Sequence, residues 1–379
     1  MPASATGVRW REPALQPGPR SEDSTDIVRP VTTTQEFDEL GFYLLAGAPS
    51  DPAVLLEEAV VGEEMGFGTA FLSERFNTKE LGSLTGAACA VTSSMTIGVA
   101  TTNHNIRHPI VFGSWATTLH KLSGGRFMPG IGRGIPPLQQ AYGIPAITTA
   151  QMEDFAGLMR QLWHGEVIFN HDGPAGSWPI LHLDASFDEE IDLCLVAFGP
   201  QSLALGGRAF DAVILHTFFT EETLERSVAT VKESAEQAGR DPDDVVVWSC
   251  LATVGDHIDE GLRLRKTVGR LATYLQGYGD LLVATNRWDP AVLERFRGDE
   301  IVASIAGAID AKASIAELEH IAALIPDEWL APAATGSADA CARRVRQEIE
   351  LGADRVIMHG ATPEELRPIV AHYRSLYRP

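Results

Sequence analysis

Short, continuously apolar runs alternate with longer stretches of helical period along most of the chain. Residues 41–46, 69–72, 95–101, 126–132, 191–197, 212–215, 245–253 and 355–358 are the apolar runs. Each lacks in/out alternation and reads as a strand buried on both faces. Helical segments follow at about 54–65, 79–92, 109–122, 151–163, 201–210, 221–238, 258–276, 337–351 and 363–376. Pro52, Pro109 and Pro363 suit first helical turns, and Ser50 or Asp51 is placed to cap the first helix. Strand–helix alternation implies a parallel sheet, and eight repeats imply a closed (β/α)8 barrel, the TIM barrel. Two segments fall outside the repeat, about 165–190 and 277–336. Residues 1–38, rich in Pro, Arg, Ser and Thr, read as an extended N-terminal arm, leaving 39–379 as one barrel domain.

Composition narrows the partners. The 379 residues carry 51 Asp and Glu against 30 Lys and Arg, a net charge of -21. That balance argues against nucleic acid and anionic membranes, which need clustered cations. No stretch approaches the roughly 18 apolar residues of a membrane span, and the N-terminus lacks a secretory h-region. Cys89, Cys194, Cys250 and Cys341 are scattered among apolar neighbours, as reduced thiols of a cytoplasmic protein would be. No zinc spacing occurs, and no metal is expected.

In a barrel of this kind the site lies where strands lead into the following helices. Those exits hold Gly47; Ser73, Glu74 and Arg75; Asn103, His104 and Asn105; Gly132, Arg133 and Gly134; Phe198 and Gly199; His216; Asp256; and His359. Glu74 is placed to orient a ring N–H or a proton, and Arg75 to hold an anion; a local Glu74–Arg75 ion pair is the plain alternative. His104 and His108 are four apart, but Pro109 keeps that segment extended, so one of them reads as a site wall or proton donor rather than a ligand. His216 and His359 read as satisfied structural histidines. Residues 122–134 place five glycines in thirteen positions, and a strand so stripped of side chains marks a close approach. The glycines do not match the dinucleotide fingerprint, because Ile135-Pro136-Pro137 follows them. Gly199-Pro200 opens a helix whose first N–H groups favour phosphate.

Leu122-Ser-Gly-Gly-Arg-Phe-Met-Pro-Gly-Ile-Gly-Arg-Gly134 resembles a signature of the bacterial luciferase-like monooxygenase superfamily. So do Phe198-Gly199-Pro200-Gln201-Ser202-Leu203, the stretch 207–214, and 334–337 with 352–356. The resemblance spans about residues 40–377. It implies a (β/α)8 barrel that binds coenzyme F420, a deazaflavin, or alternatively FMN. Its F420 branch implies hydride transfer to or from a small organic substrate, a non-proline cis peptide at Ala100–Thr101, and Thr101, Thr102 and Asn103 against the ring. By the same resemblance Gly47, Ser73, Glu74, Gly132, Arg133, Gly134, Phe198, Gly199 and Pro200 are cofactor contacts, and Glu74, Arg75 and His104 are catalytic candidates. Two positions depart from the pattern: Arg75 replaces a histidine, and Ile135 replaces a carboxylate. The alternatives are an FMN-dependent monooxygenase and a barrel that binds without catalysis. A homodimer is expected from the same resemblance.

Overall fold

The computed structural model describes residues 35–378 apart from residues 48, 50, 77 and 78, so nearly all of the expected arm, and Ser50, lie outside the described residues. Eight parallel strands form the barrel. They are β1 (Phe37–Tyr43), β2 (Phe67–Leu72), β3 (Thr96–Val99), β4, β5 (Cys194–Val196), β6 (Ala212–Ile214), β7 (Val246–Gly255) and β8 (Arg355–His359). Pro129 breaks β4 into Phe127–Met128, which pairs with β3, and Gly130–Ile131, which pairs with β5. β8 pairs with β1 through Leu40↔Val356, which closes the ring. A ninth short strand, Ala334–Gly336, extends the sheet beside the far end of β7.

The barrel lumen is filled by Phe71, Ala100, Met128, Cys194, Ile214, Trp248 and Ile357, with Tyr43 above them. Phe71 and Trp248 meet edge to face at 5.0 Å. Strand glycines make the room for these rings: a Cβ on Gly98 would lie 2.7 Å from the Phe71 ring. A larger apolar layer joins strands to helices, and burial of that kind, about 25 cal/mol per Å², is what holds the ring of helices on.

The barrel helices are α1 (Val54–Glu64), α2 (Leu81–Val91), α3 (Pro109–Ser123), α4 (Thr149–Trp163), α5 (Pro200–Ala209), α6 (Glu221–Gln237), α7 (Ala338–Glu350) and α8 (Pro363–Tyr377). Three details differ from expectation. Asp51 does not cap α1; it accepts from the Ala53 N–H at 2.9 Å, and Ala53 is the cap residue without a side-chain bond. α2 starts at Leu81 rather than Lys79, because the Glu80 carboxylate accepts from the N–H groups of Gly82 and Ser83. His108 caps α3 by accepting from the Ile110 N–H at 3.2 Å, which removes it from the list of site walls.

Both excursions are structured. The first carries an antiparallel hairpin, Ile168–Gly173 with Gly176–Leu181. The second begins earlier than expected. The helix foreseen at 258–276 runs instead from Glu260–Leu264 through a π-turn at Arg265–Gly269 into Arg270–Asn286. Its far end is tied down by Asn286, whose amide donates to the Phe218 carbonyl at 2.9 Å. Trp288 stacked on Trp329 at 4.5 Å forms a small core for the rest of the segment. Among the described residues no helix is long and apolar enough to cross a membrane.

Candidate active site at the barrel mouth

The exits of β2, β3 and β4 are laced into one platform. The Glu74 N–H donates to Thr101 O at 3.1 Å, the Thr102 N–H to Gly130 O at 3.1 Å, and the Gly132 N–H to Thr102 O at 3.0 Å. Asn103 adds its amide to Gly132 O at 2.7 Å. The Ala100–Thr101 peptide is cis, as the resemblance implies. The glycines of β4 belong to this lacing. A Cβ on Gly130 would sit 2.0 Å from Val99 O and 2.2 Å from Cys194 Sγ. One on Gly132 would meet the Thr101 side chain at 3.0 Å, and Gly134 has φ +70 beside the Asn103 amide. What approaches these glycines is thus the protein's own neighbouring strands, and the expectation of a close-lying ligand is corrected to that extent.

Glu74 does not pair with Arg75. Its two carboxylate oxygens each accept from the Arg107 guanidinium at 2.7 Å, a bidentate pair. Thr102 Oγ1 donates to the same carboxylate and accepts from Arg107 at 2.6 Å. The Glu74 side chain is 6% exposed and that of Arg107 14%, so the pair is largely removed from water. A carboxylate held on both oxygens is an anchor for the platform. Arg75 turns the other way. Among the described residues its guanidinium makes no hydrogen bond, and burial, then the Arg270 charge, pull its pKa down while Asp310 opposes.

His104 is buried, with its ring against Phe155 at 5.2 Å, and burial pushes its pKa down to about 4. It is neutral at pH 7. Arg133 is exposed and reaches Thr149 at the start of α4.

Across the mouth, Phe198 stacks on His216 with ring centroids 4.4 Å apart. His216 Nδ1 lies 2.8 Å from the Thr217 carbonyl and Nε2 lies 2.9 Å from the Tyr278 hydroxyl. A carbonyl only accepts, so Nδ1 carries the hydrogen and Nε2 accepts from Tyr278. Burial holds this ring neutral, its pKa down to about 4. His216 is satisfied, as expected, yet it belongs to the mouth. His359 is not: its buried Nδ1 has no partner among the described residues. Its ring meets Tyr43 edge-on at 5.1 Å.

The helix Arg270–Asn286 lies over this end of the barrel. Arg270, Tyr274, Tyr278 and Leu281 recur at spacings of three and four and so share one face. Tyr278 reaches His216, and Leu281 lies above Gly199. Gly199 is the N-cap of α5 and offers no side chain; Pro200 has no N–H, the N–H groups of Ser202 and Leu203 both donate to the Gly199 carbonyl at 3.0 Å, and the Gln201 N–H is the one of the first turn without an acceptor among the described residues. Tyr278 itself leaves helical geometry at φ -157 and ψ 38, which kinks the helix where it crosses the mouth.

A cleft of about 340 Å³ opens beside β1 and β8, lined by Gly47, Arg265, Lys266, Arg270, Asp310 and Gly360 among others. A second, of about 180 Å³, lies at the opposite end of the barrel among strand starts, with Thr69, Thr96, Asp192, Asp211 and Arg355 on its wall. That end is remote from the strand exits, where barrel chemistry is built.

Sequence reading missed Arg107, Arg270, Tyr274, Tyr278 and Asp310. The stripe 270, 274, 278, 281 was visible as helical spacing, but nothing local showed that it faces the strand ends. The Arg107 pair joins residues 33 apart and leaves no periodic trace.

A family model for luciferase-like monooxygenases matches residues 22–355. The chain is 25% identical over 319 residues to a 5,10-methylenetetrahydromethanopterin reductase of Methanolobus tindarius, covering 82% of this chain and 91% of that protein. Among solved structures, the coenzyme F420-dependent tetrahydromethanopterin reductase of Methanopyrus kandleri superposes with a TM-score of 0.72 at 18% identity, covering 89% of this chain and 99% of that one. The oxygenating constituent of 3,6-diketocamphane monooxygenase of Pseudomonas putida, in complex with FMN, gives 0.58 at 17% identity, covering 88% and 97%. At these identities the superpositions speak for the fold.

Proposed function

Because this chain belongs to the luciferase-like monooxygenase family, a family of enzymes, we propose that it is an oxidoreductase that transfers hydride between coenzyme F420 and a small organic substrate. The observation that supports this reading best is the mouth itself. One side is a braced platform of Glu74, Thr101, Thr102 and Asn103, and the other is an aromatic wall of Phe198, His216 and Tyr278. Such walls suit a flat ring. The positive end of α5, where the Gln201 N–H is free among the described residues, suits the phosphate that the coenzyme carries. Similarity to a methylenetetrahydromethanopterin reductase over 91% of its length agrees with the cofactor.

The deazaflavin supplies a hydride-accepting carbon; the chain supplies position. In this reading Arg107 fixes the Glu74 carboxylate, and Glu74 with Thr102 holds the β3 exit against the ring. Tyr278 donates to a neutral His216 and keeps its ring flat against Phe198, so that wall stays in register. The helix Arg270–Asn286 excludes water from above, which strengthens every polar contact beneath it. His104, buried and neutral, serves as a wall of this platform. Ile135, exposed beside the β4 exit, offers an apolar edge where the family pattern has a carboxylate.

The likeness to an FMN-bound Baeyer–Villiger-type component favours one second reading, an FMN-dependent monooxygenase. Anaerobic incubation with oxidised or reduced F420 and a panel of alcohols and ketones, beside an aerobic incubation of the same panel with reduced FMN, separates them. Substrate-dependent change in deazaflavin absorbance supports the proposal. Oxygen uptake that requires reduced FMN, with no deazaflavin turnover, refutes it.

A further inference from the structure

Side chains along a barrel strand alternate between the lumen and the helix layer. On β8 the inward set is Arg355, Ile357 and His359. Arg355 lies over the Trp248 ring at 5.3 Å, and Ile357 sits in the lumen cluster with Trp248. Val356 and Met358 belong to the outer layer. His359, last of the inward set, therefore points toward the barrel axis at the strand exit. On β1, Phe42 belongs to the outer layer and Tyr43 packs on the lumen cluster. Phe42 is in register with Met358, so Tyr43 and His359 are neighbours across the pair, and their rings meet edge-on at 5.1 Å. Both side chains are only partly buried, with the packed lumen below them and the mouth above. His359 Nδ1 is buried without a partner, and among the described residues neither His359 Nε2 nor the Tyr43 hydroxyl makes a hydrogen bond. Other polar groups of the mouth are already engaged. Glu74 gives both oxygens to Arg107, His216 uses both ring nitrogens, and Tyr278 is its donor. Lys266, in the π-turn before the helix that covers the mouth, donates to the Gly360 carbonyl at 2.7 Å and holds the β8 exit beneath that helix. Polar groups inside a fold are normally paired, and a set left unpaired at a strand exit points to a ligand that pairs it.

We propose that Tyr43 and His359 bind the oxygen of an alcohol or ketone substrate at the barrel axis. The inference rests on the oxidoreductase reading above and adds the substrate's functional group and the two residues that touch it. Burial raises the Tyr43 hydroxyl well above its ordinary pKa, so it stays a donor through the neutral range. Burial first, and then the Arg270 charge, pushes His359 well below the usual histidine value, so its ring is neutral. A neutral imidazole donates from one nitrogen and accepts at the other. No protein group fixes its tautomer, so the ring donates to a ketone oxygen or accepts from an alcohol hydroxyl, while Tyr43 donates to either. Both members of an alcohol–ketone couple, which differ by one hydride and one proton, are thus held by the same two side chains. β1 and β8 lie across the barrel from β4 and β5, which leaves the Gly199 end of the mouth to the coenzyme.

Binding of trifluoroisopropanol, a secondary alcohol that carries its own fluorine NMR reporter, tests this without any turnover. The full chain is titrated with and without saturating F420. Wild type binds the alcohol saturably, and Tyr43→Phe and His359→Phe each weaken binding about tenfold, the loss of one hydrogen bond. His359→Gln, which keeps a donor and an acceptor, retains part of the affinity. Tyr43→Phe removes one oxygen and no hydrogen bond seen among the described residues, so its folded state, checked by circular dichroism, keeps the test valid even if His359→Phe unfolds. F420 affinity, read separately by fluorescence, stays at the wild-type value in the variants. No saturable binding of the alcohol by wild type, or unchanged affinity in Tyr43→Phe or in folded His359→Phe, overturns the proposal. So does a matching loss of F420 affinity, which assigns the pair to the coenzyme instead. If wild type binds the alcohol but not F420, the coenzyme reading fails, while the titration of the cofactor-free chain still judges Tyr43 and His359.

Discussion

Arg107→Met removes the guanidinium that holds both oxygens of Glu74 and leaves a carboxylate only 6% exposed without its counter-charge. At an effective dielectric near 20, charges about 4 Å apart attract by about 4 kcal/mol. Removing one partner of such a pair costs about 3–5 kcal/mol, because the other stays buried and uncompensated. Methionine keeps most of the stem volume, so the loss is electrostatic rather than a cavity. Spread over the ~340 described residues at ~2.1 cal/mol/K each, that loss lowers Tm by roughly 5 °C. Urea unfolding followed by circular dichroism measures it. Adding Glu74→Gln to Arg107→Met removes the stranded charge and returns a large part of the stability. A single variant within about 1 kcal/mol of wild type, or a double variant no better than the single, refutes the view that Glu74 is held as a buried anchor.

Three further outcomes follow. Burial raises the Glu63 carboxyl pKa, but the N–H groups of Met95, Ser94 and Ser93 outweigh it and leave the folded pKa below the ordinary value. The stabilisation is therefore complete above the ordinary glutamate range and fades as pH falls through the folded value. Glu63→Gln costs about 2 kcal/mol at neutral pH and progressively less below about pH 4, and a pH-independent gap in urea unfolding contradicts this. Gly130→Ala drives a methyl to 2.0 Å from Val99 O and loses about 3 kcal/mol or more; a melting curve like that of wild type contradicts the close strand approach. Tyr278→Phe leaves His216 Nε2 without its donor, so F420 binding weakens several-fold while the fold costs only about 1 kcal/mol; unchanged affinity removes that wall from the site.

The frame was legible because barrel strands are short apolar runs buried on both faces, and all eight overlap the expected stretches, although β1 starts four residues earlier at Phe37 and β2 two earlier at Phe67. The strand exits were legible for the same reason, since each run ends where its side chains turn polar. Partners were not legible. Glu74 has a cation next to it in sequence, and the local pairing looked natural. In the folded chain Arg107, from beyond β3, comes back over Glu74 and takes both of its oxygens, while Arg75 makes no side-chain hydrogen bond among the described residues. The glycines of β4 misled similarly: glycine signals a close approach but does not say by what, and here it is Val99 and Cys194. The course of the helix Arg270–Asn286 was not legible because it continues from Glu260–Leu264 through a π-turn that carries no sequence punctuation, so the helix foreseen to end near 276 runs on into the segment expected to begin at 277.

The account stands or falls on what binds at the mouth. Titration of purified protein with F420 and with FMN, followed by ligand fluorescence, tests it most directly. Saturable binding of F420 that weakens with Gly199→Val, with FMN bound far more weakly, is the predicted result. Tight binding of FMN with none of F420 contradicts it.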